Sequence, residues 1–260
     1  MTVSSLFERR TRPLFIPYVM AGDPDLETTA LIVDALREAG ADLIELGVPY
    51  GDPLADGPTI AAAGQRALAR GTRMCDVLDL TRRARTKGSP PIVLLTYFNP
   101  VLRYGLKRFA ADAGDSGASG AIVPDAALEE TSELRAELAA CDLVMPLLVA
   151  PSTPRERAAR IAEASSGFVY AVSRLGVTGA GSTPDFTPLR RQIAMLRGVT
   201  AKALAVGFGV SSPSHVREVA SIADGIIVGS ALIDAYAGGA KRGRDAADAV
   251  ARVAGTLVPA

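Results

Sequence analysis

One short stretch of the chain carries the acidic side chains that are the first candidates for chemistry. Glu45 interrupts the apolar run at residues 43–47, and a carboxylate rarely lies inside such a run unless it is paired or used in a reaction. Asp52 and Asp56 follow in a proline-rich loop. Acidic side chains this close in sequence can carry general acid–base chemistry, which typically contributes about 10²- to 10⁴-fold to a rate. The alternatives are a structural role for Glu45 and helix capping for Asp52 and Asp56.

Glycine-rich segments at three later points of the chain suit a phosphate group. They occupy residues 176–182, 207–212 and 229–230. Glycine lets main-chain N–H groups approach a ligand closely, and a helix N-terminus adds partial positive charge, so backbone alone can hold a phosphate. A single segment would be weak evidence because glycine also serves tight turns. Three of them after neighbouring strands favour a phosphate site.

The scarcity of other reactive residues narrows the reaction further. None of the four lysines lies at the carboxyl end of a predicted strand, which disfavours an imine-forming aldolase. The one histidine, His215, is expected on the surface of a helix, so a histidine-rich metal site or a Ser–His–Asp relay has too little to work with. Proton transfer is then left to the carboxylates, with Tyr170 close by on a strand.

A scaffold of eight strands is predicted to position these residues. Apolar runs of Val, Ile and Leu predict the strands at residues 14–19, 43–47, 92–96, 120–124, 144–149, 168–172, 203–206 and 225–228. Most runs are apolar at consecutive positions, which is typical of parallel strands buried on both faces. Helical patterns separate them, so the chain reads as repeated βα units.

Eight βα units in about 250 residues predict an α/β fold, a (β/α)8 TIM barrel that forms one domain over residues 1–260. In such a barrel the active site lies at the carboxyl ends of the strands, where the acids and glycines fall. A doubly wound open sheet is the competing fold. It is disfavoured because no Gly-x-Gly-x-x-Gly turn follows the first strand.

Helix start and stop signals fit the same organisation. Asp23 is predicted to cap the first crossover helix, with Pro24 at its first position and Gly40 at its end. Ser212 followed by Pro213 repeats the start signal before the seventh crossover helix.

Composition excludes several classes of function. The 260 residues include 28 basic and 28 acidic side chains, and this balance gives no reason to expect a nucleic acid or an anionic membrane as partner. Cys75 and Cys141 lack metal-ligand spacing and are expected to be free thiols. We expect a cytoplasmic protein, since the chain shows neither a secretory signal pattern nor about 18 consecutive apolar residues.

Several motifs occur in one order along nearly the whole chain. They are Ile16-Pro17-Tyr18, Ala21-Gly22-Asp23-Pro24, Ile44-Glu45-Leu46-Gly47-Val48-Pro49-Tyr50, Asp52-Pro53-Leu54-Ala55-Asp56-Gly57-Pro58, Leu148-Val149-Ala150-Pro151, Val172-Ser173-Arg174, Gly176-Val177-Thr178-Gly179, Gly207-Phe208-Gly209 and Val228-Gly229-Ser230. In this combination the chain resembles the tryptophan synthase alpha subunit. The acid-bearing loop and the Gly-Val-Thr-Gly loop are together highly specific for that family.

The resemblance implies a lyase that cleaves indole-3-glycerol phosphate to indole and glyceraldehyde 3-phosphate, a retro-aldol reaction. It makes Glu45 and Asp56 the catalytic pair, with Tyr170 beside them. A carboxylate near the indole nitrogen stabilises the positive charge that develops when C3 is protonated, and this role falls to Asp56. Glu45 would protonate C3 and accept the hydroxyl proton, provided that burial raises its pKa toward neutrality.

The resemblance also assigns the two ends of the substrate. The phosphate would be held by Gly179, Gly209, Gly229 and Ser230. The indole pocket would include Ile60, Leu95, Ile122 and Phe208, for which ordinary barrel core is the alternative.

The family works bound to a beta subunit that uses pyridoxal phosphate, in an alpha2beta2 heterotetramer. The resemblance therefore implies this partner, no cofactor in the present chain, and a docking surface that includes the loop at residues 52–56. Met20, Gly51 and the pair Ala126-Ala127 depart from many relatives. The changes at Gly51 and at Ala126-Ala127 bear on partner binding and coupling more than on cleavage.

Three other functions remain open. A stand-alone indole-3-glycerol phosphate lyase would share the residues but release free indole. A catalytically poor subunit that only activates a partner would keep the fold, although the intact set of Glu45, Asp56 and Tyr170 argues against it. A different phosphate-binding isomerase built on the same barrel should lack the paired motifs.

Overall fold

The computed structural model describes residues 2–173, 185–207, 209–238 and 240–259. Its strands are β1 Leu14–Met20, β2 Ile44–Gly47, β3 Ile92–Leu95, β4 Gly120–Ile122, β5 Leu147–Val149, β6 Val169–Val172, β7 Leu204–Gly207 and β8 Gly225–Val228. The α-helices are α1 Val3–Arg9, α2 Leu26–Glu38, α3 Pro58–Ala69, α4 Met74–Thr86, α5 Phe98–Tyr104, α6 Leu106–Asp115, α7 Ser132–Ala140, α8 Arg155–Ala164, α9 Thr187–Arg197, α10 Pro213–Ala220, α11 Ser230–Ala237 and α12 Gly243–Leu257. A 3₁₀ turn spans Leu128–Glu130.

The eight strands form one parallel sheet that closes into a barrel. Their order is β4-β3-β2-β1-β8-β7-β6-β5, so the chain order is kept around the sheet. The barrel closes at a parallel bridge between Gly120 in β4 and Val144, three residues before β5. There the Ala121 N–H donates to the Val144 carbonyl at 2.9 Å, and the Val144 N–H donates to the Ser119 carbonyl at 3.0 Å. The predicted barrel is confirmed, and the open sheet is excluded.

The fifth strand is shorter than the predicted 144–149. It begins at Leu147 because Pro146 has no N–H to donate to a ladder. Two serine side chains accept hydrogen bonds from the backbone N–H groups on either side of the proline. Ser166 Oγ accepts from the Met145 N–H at 2.7 Å, and Ser165 Oγ accepts from the Leu147 N–H at 2.9 Å.

Glycines inside the barrel make room for two tyrosines. A Cβ atom on Gly47 would lie 2.2 Å from the Tyr18 hydroxyl, and one on Gly207 would lie 2.2 Å from the Tyr170 hydroxyl. Real Cβ atoms do not approach other atoms so closely, so only glycine fits at both positions. Both tyrosine side chains therefore reach the interior near the carboxyl ends of the strands.

The start of α2 differs from the prediction. Its N-cap is Asp25, whose Oδ1 accepts from the Thr28 N–H at 2.7 Å, and the helix begins at Leu26. The prediction that Asp23 caps this helix was wrong because the chain holds a second aspartate two residues later, past Pro24. Asp23 is instead buried, and its side chain faces other partners that are described below.

Two other helix signals are confirmed. Gly40 follows the C-cap of α2 with φ +93°, a conformation that favours glycine. Ser212 caps α10, its side chain accepting from the His215 N–H at 3.3 Å, and Pro213 takes the first helical position. Among the described residues, no helix is long and apolar enough to cross a bilayer.

Candidate active site

A cavity of about 410 Å³ opens at the carboxyl ends of the strands and joins the acidic and glycine-rich segments. Glu45 and Asp56 line one part of it, and Gly209, Gly229 and Ser230 line another. The sequence separates these two groups by more than 150 residues. The closed barrel brings them together because β2 and β8 both flank β1.

Glu45 lies in β2 with only 1% of its surface exposed. Its Oε2 atom has no hydrogen-bond partner within the part of the chain that the structure describes. Burial is the main cause, and the negative charge of Asp56 a smaller one, of the rise in the pKa of Glu45 to about 8. Loss of water disfavours the charged form, so near neutral pH this carboxyl group is a buried acid that can give up a proton.

Asp56 lies in the loop between β2 and α3, where its side chain does not cap the helix. The N-cap of α3 is Gly57, with no side-chain capping bond, and Pro58 occupies the first turn. Helix capping is therefore wrong as an explanation for Asp56. Burial raises the pKa of Asp56 to about 6, and a hydrogen bond from Tyr97 opposes that rise. Asp56 thus ionises more readily than Glu45.

Tyr97 is a site residue that the sequence reasoning missed. It is 1% exposed, and its hydroxyl accepts from the Ala55 N–H at 3.2 Å, beside Asp56. Its ring centroid lies 5.1 Å from that of Tyr50. Tyr97 therefore holds the acid-bearing loop at two points. Its position could have indicated this role from the sequence. Tyr97 comes two residues after β3, and active-site residues of such barrels lie at the carboxyl ends of the strands.

Tyr170 and Tyr18 flank the acids from two other strands. Tyr170 lies in β6, as predicted, and Tyr18 lies in β1 directly opposite Glu45 in the strand register. Both line the cavity and are 3% exposed. Burial, together with the charges of Glu45 and Asp56, raises the pKa of each tyrosine well above its ordinary value. Both tyrosines therefore stay neutral at any working pH. Tyr18 is a further site residue that the sequence reasoning did not single out.

The glycine-rich end of the cavity is built from backbone and helix N-termini. Gly209 has φ +89°, and its carbonyl oxygen lies 3.2 Å from Nδ1 of His215. Gly229 is the N-cap of α11, and Ser230 is the first residue of that helix. Their N–H groups belong to a helix terminus, which favours an anion. Gly179, also predicted for the phosphate, lies outside the described residues.

The structure describes three of the four residues predicted for the indole pocket. Ile60 and Leu95 line the cavity beside the acids. Ile122 is 1% exposed in β4 and is not among the described residues that form the cavity wall, so its role remains a prediction. Phe208 lies outside the described residues.

A second cavity of about 860 Å³ adjoins the first. The two share Asp56, Gly57, Pro58 and Gly209, and the larger one is also lined by Leu54, which is 81% exposed. Glu45 lines the smaller cavity, so that cavity is the reaction site suggested by the geometry. In the described part of the chain, no group of three or more His, Cys, Asp and Glu could hold a metal ion.

Comparison with known proteins gives a family that fits this geometry. A family model described as tryptophan synthase alpha chain matches residues 5–258. The chain belongs to the tryptophan synthase alpha chain family. Membership confirms the resemblance drawn from the motifs and makes the chain an indole-3-glycerol phosphate lyase of tryptophan biosynthesis.

Individual relatives agree along most of the chain. The tryptophan synthase alpha chain of Prochlorococcus marinus (strain MIT 9313) is 49% identical over 92% of this chain and 88% of its own length. That of Gloeobacter violaceus is 49% identical over 90% and 85%. Among solved structures, tryptophan synthase subunit alpha from Legionella pneumophila str. Paris covers 99% of this chain and 97% of its own, with TM-score 0.89 and 32% identity. A Mycobacterium tuberculosis tryptophan synthase structure covers 98% and 96%, with TM-score 0.88 and 38% identity.

Proposed function

We propose that Glu45 and Asp56 together carry the cleavage of indole-3-glycerol phosphate, with Glu45 moving the protons and Asp56 stabilising charge. Their ionisation supports this division of roles. Near pH 7 the pKa of about 8 keeps Glu45 mostly protonated, while the pKa of about 6 leaves Asp56 mostly ionised. Two carboxyl groups with separated pKa values are the usual mark of an acid paired with an electrostatic partner.

The first step is proton transfer to the indole ring. Glu45 gives its proton to C3, the carbon that carries the glycerol phosphate chain, and the ring nitrogen becomes iminium-like. The Asp56 carboxylate lies beside N1, stabilises that positive charge and accepts a hydrogen bond from the N1–H group. Tyr97 and the Ala55 N–H fix the loop that presents Asp56.

The second step breaks the carbon–carbon bond. The Glu45 carboxylate, now ionised, takes the proton of the adjacent side-chain hydroxyl as the aldehyde forms. The electron pair of the C3–C bond returns to the ring and restores neutral indole. Glu45 ends protonated, so the cycle needs no outside acid or base, and the buried neutral hydroxyls of Tyr18 and Tyr170 bound the site on two sides.

The phosphate is proposed to lie against Gly209, Gly229 and Ser230, with Gly179 as a further contact. The N-terminus of α11 supports this, because the first N–H groups of a helix have no partner within the helix and its partial positive charge suits an anion. Ile60 and Leu95 supply apolar wall for the indole, with Ile122 and Phe208 as further proposed members.

A beta subunit is the proposed partner, with alpha2beta2 as the proposed assembly. Pyridoxal phosphate would belong to that partner, and this chain is proposed to work without a cofactor of its own in the cytoplasm. The exposed Leu54 and its neighbours between Asp52 and Asp56 are proposed to meet the partner. The prolines of this loop limit the entropy lost on docking.

One observation carries the proposal: a single cavity wall holds both acids and the helix terminus suited to phosphate. The test is a steady-state assay of the purified chain with indole-3-glycerol phosphate, with and without a beta subunit. We expect measurable indole release alone and faster turnover with the partner.

The two arms of the assay separate the other functions. Full turnover that a beta subunit leaves unchanged would favour a stand-alone lyase. Cleavage that survives unaltered in both Glu45→Gln and Asp56→Asn would overturn the assignment and favour an activating subunit.

A further inference from the structure

We propose that Asp23 is a positioning residue for this reaction, acting through Arg66 and Tyr236 to hold the acid-bearing loop and the phosphate-binding terminus in register. This inference rests on the proposed function and adds residues that line neither cavity wall. Asp23 follows β1, Arg66 lies in α3 and Tyr236 lies in α11, so three separate segments meet at one carboxylate. We call these three residues the Asp23 cluster.

The Asp23 cluster is a buried carboxylate held by three short hydrogen bonds. The Asp23 side chain is fully buried, with 0% exposed. Arg66 donates to it twice, from Nε to Oδ1 and from a terminal nitrogen to Oδ2, both at 2.8 Å. The Tyr236 hydroxyl donates to Oδ2 at 2.7 Å. A paired fork of this kind fixes direction as well as distance, which a single point charge does not.

The two helices that meet at Asp23 are the ones that carry the site. Helix α3 begins at Pro58, two residues after Asp56, so a shift of α3 moves that acid. Helix α11 begins at Ser230, at the proposed phosphate site, and Tyr236 lies in its last turn. Each helix transmits displacement along its axis, so the cluster sets the separation between their N-termini.

A second link joins the same helices nearer the cavity. Thr59 Oγ1 donates to Asp234 Oδ1 at 3.3 Å, and both residues line the cavity wall. This bond is exposed and long, so it cannot fix the helices alone. The buried cluster supplies the rigid contact, and the Thr59 bond limits rotation about it.

The opposite end of the barrel offers a matched control. Asp224, just before β8, is 6% exposed and is also paired with two arginines, Arg10 and Arg197. Its charge chemistry resembles that of Asp23, but it lies at the amino ends of the strands. Arg197→Lys therefore disturbs a similar ion pair without moving either helix N-terminus at the site.

The decisive variant is Arg66→Lys, which keeps the positive charge and removes the fork. We expect KM for indole-3-glycerol phosphate to rise about fivefold or more, because small misplacements of binding groups are costly. The inhibition constant of glycerol 3-phosphate should rise in parallel, and kcat should fall less than KM rises. Arg197→Lys should leave all three constants within about twofold.

Thermal unfolding of both variants separates positioning from plain stabilisation. The proposal is overturned if Arg66→Lys changes KM and the inhibition constant no more than Arg197→Lys does at a similar loss of stability. Should Arg66→Lys fold poorly, Tyr236→Phe removes one hydrogen bond and should still raise KM about threefold. A KM that stays within about twofold of the original, as expected for Arg197→Lys, would also overturn the proposal. Activity retained in Glu45→Gln would instead reject the proposed function.

Discussion

The acids at the two ends of the barrel differ in their partners. At the amino ends of the strands, Asp224 accepts from the Leu204 N–H at 2.8 Å and from two arginines. Asp42 likewise accepts from the Phe15 N–H and from Arg12, both at 2.7 Å. At the carboxyl ends, Glu45 is buried, and within the described part of the chain it has no counter-charge and its Oε2 has no hydrogen-bond partner.

This difference separates stability from reactivity within one fold. Acids with arginine and backbone partners hold elements of the fold together. An acid buried without them is destabilised as an anion, so it keeps its proton and can transfer it. The carboxyl end also contains one fully paired acid, Asp23, and it lies behind the helices that carry the site. In the proposal made above, this paired acid holds the helix that follows Asp56.

The largest expected effect comes from removing the proposed proton donor, Glu45. Glu45→Gln should lower kcat by more than about 10²-fold with little change in KM, because the amide fills the same space but cannot transfer a proton. Steady-state kinetics with indole-3-glycerol phosphate measure both constants. Glu163→Gln, a substitution on an exposed part of α8, is the control and should leave kcat and KM unchanged. A defect confined to KM would contradict the role given to Glu45.

A smaller effect of a different kind is expected at the amino end. Asp224→Asn should lower the free energy of unfolding by roughly 1–3 kcal/mol, because two arginines lose their counter-charge. Urea unfolding measures this loss, and kcat/KM of the folded protein should stay within about twofold of the original. A large loss of kcat/KM without a loss of stability would erase the contrast between the two ends.

The mildest test changes only the pH. Asp56 must be ionised, so activity should fall about tenfold per unit below the pKa of about 6; Glu45 must be protonated, so activity should fall about tenfold per unit above about 8. The pair titrates as a coupled system, and kcat/KM should trace a bell between these limits. Asp56→Asn should remove the acid limb from the residual activity. A profile flat from pH 5 to pH 9 would argue against carboxylate catalysis.

Much of this architecture could be predicted from the sequence because it depends on periodic apolar runs. The eight strands and the position of Glu45 inside β2 follow from that pattern. The fifth strand was predicted too long because Pro146 removes a ladder donor in the middle of an apolar run.

The residues that escaped prediction act through contacts between distant segments. Tyr97 reaches the acid-bearing loop from β3, and Asp23 meets Arg66 and Tyr236 from two helices. Local reading gave Asp23 the role of a cap, since an aspartate before Pro24 is an ordinary helix start. Only the three-dimensional arrangement shows that Asp25 takes that role and leaves Asp23 to bind elsewhere.

The fit of Tyr18 over Gly47, and of Tyr170 over Gly207, constrains how this site can change over evolutionary time. A Cβ atom at either glycine would lie 2.2 Å from the facing tyrosine hydroxyl, so neither glycine can be replaced unless its tyrosine moves or changes. Each pair must change jointly, with a smaller residue on one strand accompanying a larger one on the next. A random library of single substitutions would find both glycines intolerant, whereas a library that varies the pairs together would recover folded sequences.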